Sequence, residues 1–228
     1  MDSVTGITLP QSLRGDAERA VEHLRRYYSA RLESVPEDER MLFDGAFFDH
    51  WAPEDPRPNV FTAEDVVAVQ FLDAPIDNWS AIVRILYERS DELSRLLIEI
   101  GHDRDLATVP VAELGPGWPA EKLNRALQEI VGIGPVIASK LIARKRPHLY
   151  PIQDQRIRAL TGLTEHNFVT TVHGELTRND VFAERLAQVR DRAGLAEKIS
   201  VVRTFAVIAW SEQAQIDARQ RRDFPYRP

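Results

Sequence analysis

Val131-Gly132-Ile133-Gly134-Pro135-Val136-Ile137-Ala138-Ser139-Lys140, followed by Asp154, decides how this chain is read. A helix carrying Leu123, Ala126, Leu127 and Ile130 on one face runs into a Gly-x-Gly hairpin. A second helix leaves it, burying Ile137 or Ala138 together with Leu141 and Ile142. This is the shape of a helix-hairpin-helix. Glycines at 132 and 134 allow a left-handed backbone and an unobstructed approach to an anion. The N–H groups opening the second helix suit a phosphate. Ile133 plugs the hairpin into the core, and small Ala138 lets the two helices pack closely. The same letters also fit an ordinary glycine turn between core helices, because Gly-x-Gly alone is common.

A dense run of positive charge follows at once: Lys140, Arg144, Lys145, Arg146 and His148. Beside a phosphate-gripping hairpin these side chains would neutralise a nucleic-acid backbone. The candidate DNA contacts are therefore Gly132, Ile133, Gly134, Ser139, Lys140, Arg144, Lys145 and Arg146. The alternative is a solvated helix face whose cations favour the helix C-terminus. The whole chain has a formal charge of −6, opposite to the usual balance of a DNA-binding domain. Local distribution counts for more than the sum.

Outward from the hairpin, the pattern is helical throughout. Asp16 to Leu32 places Ala17, Ala20, Val21, Leu24, Tyr28 and Leu32 on one face. Leu42 to Trp51 is a compact aromatic segment, and Pro53, Pro56 and Pro58 mark a loop. Thr62-Ala63-Glu64-Asp65 has the form of a capping box. Asp77 or Asn78 caps a long helix striped by Trp79, Ile82, Val83, Leu86, Leu93, Leu97 and Ile100, ending at Gly101. Pro119 suits the first turn of the helix that enters the hairpin. After Asp154, helices are expected around Gln155 to Leu160, Asp180 to Arg192, and Ala196 to about Arg221. Ile199 to Ala209 is apolar on nearly every side, as in a buried central helix. No segment keeps a period of two.

The expected fold is all-α, a multi-helix domain containing a helix-hairpin-helix motif. Residues 1–110 form an N-terminal helical region and 111–228 the hairpin region with the C-terminal helices, with a shared core as the alternative. At 228 residues the chain can bury a sizeable core. It has no cysteine, which excludes disulfides, a Cys nucleophile, iron–sulfur clusters and thiolate zinc sites. No metal-ligand spacing occurs, and no signal peptide, membrane span, Walker loop or dinucleotide fingerprint is recognised. A cytoplasmic location is expected.

From Lys122 to Leu160 the chain resembles the helix-hairpin-helix DNA glycosylase superfamily, of the endonuclease III and adenine-glycosylase type. The family's Leu-Pro-Gly-Val-Gly-x-x-Thr-Ala corresponds to Ile130-Val131-Gly132-Ile133-Gly134-Pro135-Val136-Ile137-Ala138. The resemblance implies that Asp154, 18 residues after Val136, is the catalytic carboxylate. It implies a flipped base in a pocket, DNA as partner, and a monovalent cation on the carbonyls of Gln128, Ile130 and Ile133. Three departures stand out. Val136 occupies the position of the bifunctional members' lysine nucleophile, so a lyase acting from there is excluded. Val131 replaces the usual proline, and Pro135 removes one N–H donor. The chain also looks like a family of uncharacterised bacterial proteins, through Lys140 to Pro147 and the aspartate beyond; this second resemblance covers most of the chain and implies no activity.

A carboxylate at Asp154 suits N-glycosidic cleavage because positive charge builds on the sugar, as in glycoside hydrolysis. It stabilises that cation and orients or deprotonates the attacking water. The base would have to leave the stack for a pocket, for which Trp51, Trp79, Trp118, Phe47 and Phe48 are candidate walls. Asp154 equally suits the N-cap of the following helix, and one residue can do both. The function expected is thus a DNA-binding helix-hairpin-helix protein acting as a monofunctional DNA glycosylase. The alternative is a non-catalytic DNA-binding or protein-interaction module. Phe43 to Trp51, with Asp44, Asp49 and His50, reads as a packed loop rather than a metal site. His102 to Asp105 reads as an exposed turn. Arg219, Arg221, Arg222 and Arg227 around Phe224 and Tyr226 read as a frayed end.

Overall fold

A computed structural model of the chain describes residues 6–29, 32, 36–39, 44–52, 57–178, 180–195 and 199–223. Leu42, Phe43, Pro53, Pro56, Ala196, Phe224, Tyr226 and Arg227, named above, lie outside them. The protein is all-α, with no strand among the described residues.

α1 spans Glu18–Tyr27, shorter than its apolar stripe. Ala17 before it takes a left-handed φ of 60°, which breaks the turn from Asp16. The stripe is nonetheless buried as expected, from Ala17 to Leu32. α2 is a single turn, Phe47–His50. α3, Ala63–Gln70, starts at a complete capping box: Thr62 accepts from the Asp65 N–H and Asp65 accepts from the Thr62 N–H. Such a cap stabilises a short helix by about 1 kcal/mol.

The long helix expected from residue 79 to 100 is three pieces. α4, Trp79–Val83, is capped by the Asn78 side chain on the Ser80 N–H. A π-turn, Arg84–Glu88, follows, and α5 runs Ser90–Ile100 to Gly101. The π-turn inserts a residue into the ladder and rotates the register. Before and within it, Ala81 and Ile85 face the core, whereas Trp79, Val83 and Tyr87 point out; this corrects the start of the expected stripe. After it, Leu93, Leu97 and Ile100 are buried as read.

α6, Pro119–Gln128, and α7, Pro135–Lys145, flank the hairpin. α8 spans Gln155–Thr161, and α9, Phe168–Arg178, was not anticipated. Phe168, Val172 and Leu176 carry the i, i+4 spacing that forms it, diluted by Thr170, Thr171 and His173. α10 spans Asp180–Arg192, and α11 runs Val201–Asp223.

Val202, Phe205, Val207, Ile208 and Ala209 are buried, so α11 is the central helix, with α1, α8 and α10 packed on it. A second group packs α5 on α6, α6 on α7 and α3 on α7. Residues before and after position 110 contribute to one hydrophobic core. The seam between α7, α8 and α11 is where the candidate site lies. Among the described residues no helix is long and apolar enough to cross a membrane.

Candidate functional site

Lys140 sits midway along α7, on a stretch from Ala138 to Ala143 that is buried all round. Its ammonium donates to Asp154 Oδ2 at 3.0 Å and to the Leu72 carbonyl at 2.8 Å. Asp154 Oδ1 accepts from the Arg156 N–H at 2.9 Å, the N-cap bond of α8. One position earlier, the Ser139 hydroxyl donates to the Val136 carbonyl and accepts from the Gln153 N–H at 3.0 Å. Two adjacent side chains of α7 thus pin the segment that delivers Asp154. Only 1% of the Lys140 side chain is exposed, against 15% for Asp154, so the carboxylate is the member open to a cavity. Burial lowers the Lys140 pKa from the ordinary lysine value, with Asp154 pulling the other way.

That cavity has a volume of about 450 Å³ and is bounded by Lys140, Asp154, Asp73, Phe71, Tyr27 and Trp210, among others. The size is within the range of small-molecule pockets. Asp73 follows Leu72 with a left-handed φ of 58°, a strained conformation at a cavity wall. The back wall is Arg203 of α11. Its guanidinium forms an ion pair with Asp49, with Nε to Oδ1 at 2.9 Å, donates to the Tyr27 hydroxyl at 3.1 Å, and lies over the Tyr27 and Phe48 rings. Tyr28 donates to the same Asp49 at 2.8 Å. Burial, and then Asp49, push the Tyr28 hydroxyl well above the usual phenol pKa, so it remains a donor. Gly45 is required here, since a Cβ would fall 2.1 Å from the Tyr27 hydroxyl oxygen. At the mouth, Arg156 pairs with Asp217 at 3.2 Å and covers the Trp210 ring.

The hairpin has an exposed tip. Val131 is 72% exposed and Gly132 takes φ 99°. Asn78 donates to the Val131 carbonyl at 3.0 Å, tying the hairpin to α4. Ile133 is buried, and its N–H closes the turn on the Ile130 carbonyl. Gly134 is the N-cap of α7 in extended conformation, with Pro135 at the first helical position.

The basic run is not an exposed phosphate-contacting face, and the expectation for it is corrected. Lys140 is in the pocket wall. Arg144 donates to the Phe48 and Trp51 carbonyls and approaches Asp65 at 3.5 Å. Lys145 pairs with Asp65 at 2.6 Å. Arg146 donates to the Pro58 and Leu97 carbonyls, each at 2.8 Å, and to the Asn59 side chain. Each cation satisfies backbone carbonyls or a carboxylate that α7 covers when it packs. Ser139 is likewise buried inside the fold. His148 bonds Asp103 at 2.6 Å, so the turn at residues 102–105, exposed at His102 and Asp105, is tied to the end of α7.

The five candidate pocket aromatics are also corrected. Trp118 is buried on Tyr150 with ring centroids 5.9 Å apart, Trp79 points outward, and Phe48 underlies Arg203. Phe47 and Trp51 pack on Phe71. Tyr27, Phe71 and Trp210 are the aromatic walls instead. Among the described residues no three His, Asp or Glu side chains gather as a metal site.

A family model described as a family of unknown function, DUF6308, matches residues 20–213. The chain belongs to the DUF6308 family. No curated protein and no solved structure matches it. The family match spans both helical groups and every pocket residue named above. In this DUF6308 chain, sequence reasoning missed Arg203, Asp49, Tyr27 and Trp210. Arg203 did carry a signal: it is the one charged residue between Ile199 and Ala209. A cation inside a buried apolar run requires a partner.

Proposed function

We propose that this protein is a DNA-binding helix-hairpin-helix protein that acts as a monofunctional glycosylase, hydrolysing the N-glycosidic bond of a base held in the pocket. The single observation that carries this reading is the partly open Asp154 carboxylate on the wall of a cavity of about 450 Å³ with aromatic sides. Oxocarbenium-like charge on a sugar at the mouth would be stabilised by that carboxylate. Lys140 and the Arg156 N–H fix its two oxygens, which makes Lys140 a positioning residue. A carboxylate has about four lone-pair sites, so both oxygens can still accept from an attacking water. The exposed Val131–Gly132 tip remains accessible to a duplex.

The test is release of free base from a panel of duplexes bearing deaminated, alkylated and oxidised bases. Asp154→Asn is expected to lower the rate by about 10²–10⁴-fold, the usual range for a general acid–base group. Release that survives unchanged in Asp154→Asn would remove the carboxylate from the chemistry. A second reading, the non-catalytic DNA-binding module, is favoured by one observation: both Asp154 oxygens already have internal donors. No base release from any duplex, with DNA binding retained, would select it.

A further inference from the structure

The pocket does not stand alone. A second chamber of about 540 Å³ adjoins it, with Tyr27 and Trp210 common to both. A third, of about 460 Å³, shares His23, Gln215 and Arg219 with the second. The three lie in series along α11 as a trough interrupted by side chains: Tyr27 and Trp210, edge to face with centroids 6.2 Å apart, stand between the first and the second, and the short Ser211, Ala214 and Ala218 line the second. On α1, Arg19, His23 and Tyr27 recur every fourth residue and so share one face. Along α11 the trough runs from Arg203 to Arg219, roughly 24 Å at the helical rise.

Its charges are arranged in a particular way. Arg19, Arg26 and Arg219 border the outer chambers, all exposed, and none has an ion pair or hydrogen bond among the described residues. Two acids act on this region: Glu212 is occupied by the N–H groups of Gln11 and Ser12, each at 2.9 Å, and Glu22 is exposed on α1 between Arg19 and Arg26. In the inner pocket the cations are already engaged, Lys140 by Asp154, Arg156 by Asp217 and Arg203 by Asp49, and Asp44 and Asp73 add further acid to the wall. At the junction of the outer chambers lies His23, 7% exposed, whose ring makes no hydrogen bond among the described residues. Exposed cations outside an acid-rich inner pocket fit a strand that keeps its phosphates outside and sends a neutral base inward.

We propose that the trough between α1 and α11 is a nucleic-acid track, with strand phosphates on Arg26, Arg219 and Arg19 and the base of that strand entering the Asp154 pocket past Tyr27 and Trp210. This rests on the nucleic-acid reading of the pocket, and it moves the electrostatic grip from α7 to the opposite side of the site. His23 offers an unused ring nitrogen to a sugar or base edge.

The experiment measures fluorescence anisotropy of a labelled 15-nucleotide DNA strand and a 15-base-pair duplex at several salt concentrations. The proteins are the wild type, Arg19→Gln/Arg26→Gln/Arg219→Gln, the same three positions changed to Lys, and Gly134→Asp. The expected result is binding that the Gln variant weakens by tenfold or more, with the salt slope reduced by about 2–3, one phosphate contact per arginine. The Lys variant should retain most affinity, because a phosphate contact needs charge and a packing role would need the guanidinium shape. Equal binding by wild type and Gln variant, with loss in Gly134→Asp, would put the grip at the hairpin and overturn the track. Binding lost in the Gln variant, with no base released from any substrate, would uphold the track while the glycosylase reading falls. Binding of polyphosphate but of no DNA, or of neither, would overturn both.

Discussion

Arg146 and Arg219 belong to the same acidic chain and do opposite things. Arg146 is 1% exposed and spends its guanidinium on the Pro58, Asn59 and Leu97 acceptors. Arg219 lies at the rim of an open trough with no protein partner among the described residues. The contrast extends to their neighbours. Lys140, Arg144, Lys145 and Arg146 stitch α7 to α2, α3, α5 and the loop around Pro58, whereas Arg19, Arg26 and Arg219 are scattered in sequence and gathered only by the packing of α1 on α11. Density of charge along a sequence therefore says little about where a polyanion would bind. Cations that follow one another on a buried helix are committed to whatever that helix covers.

The largest effect expected is at Asp65, which serves Arg144 and Lys145 together and accepts from the Thr62 N–H at 2.8 Å. Asp65→Ala leaves two cations short of their counter-ion inside the fold and opens the cap of α3. A loss of about 3–5 kcal/mol is expected in urea unfolding, the range for breaking a buried ion pair. A loss below about 1 kcal/mol would mean that the run is solvated like a surface pair, and the contrast with the trough would collapse.

The two hairpin glycines give a smaller and more discriminating comparison. Gly132 has φ 99°, and a Cβ there would meet the Asn78 Cβ at 3.0 Å. Gly134 has φ −87° and open space around it. Gly132→Ala should cost about 1–3 kcal/mol through backbone strain, and Gly134→Ala under about 1 kcal/mol as an N-cap change. Thermal or urea unfolding of the pair separates them. Equal costs would mean that the hairpin is not held in its left-handed turn.

Much of this is legible in the sequence, for identifiable reasons. α1, α3, α6 and α10 announce themselves by apolar spacing and caps, which are local. Asp154 stands out only through the resemblance of the hairpin segment to the glycosylases. The π-turn at residues 84–88 escaped because the apolar letters continue across it while the register rotates. α9 escaped because threonines and a histidine thin its stripe. From the sequence Lys140 reads as a DNA contact because its two acceptors, the Leu72 carbonyl and Asp154, are distant in sequence, and one of them is backbone. The trough could not be read at all, since it consists of space between α1 and α11 rather than of any segment.

A gentler probe of the trough is the titration of His23. Burial is the main cause lowering its pKa below 6.5; Glu212 and Glu22 oppose this, and Arg19 and Arg26 reinforce it. A base whose folded pKa is lowered contributes stability that is full above its unfolded value and is lost as pH falls through the folded one. Stability should therefore decline with acid below pH 6.5, and His23→Gln should flatten that decline. Glu212, also lowered in spite of burial, adds a second decline below 4.5 that this variant leaves in place. By NMR, Arg19→Gln/Arg26→Gln should raise the His23 pKa, because the two cations that reinforce the effect of burial are gone while Glu212 and Glu22 remain. A wild-type His23 that titrates at or above 6.5 would mean that the chamber wall is wetter or more acidic than the trough requires.

The smallest effect belongs to the trough arginines themselves, and it is the sharpest test of the comparison. Arg19, Arg26 and Arg219 satisfy no protein acceptor among the described residues, so folding gains little from their charge. Removing each as Gln should change unfolding free energy by no more than about 0.5 kcal/mol, the usual range for surface positions. Slight stabilisation is reasonable where Arg19 and Arg26 repel each other across His23. A residue whose loss leaves the fold untouched and weakens polyanion binding acts on something outside the chain. A cost of about 2 kcal/mol or more at any one of the three would instead make it a strut like Arg146, since effects that large follow from lost packing or buried pairs. The two sets of cations would then differ only in degree.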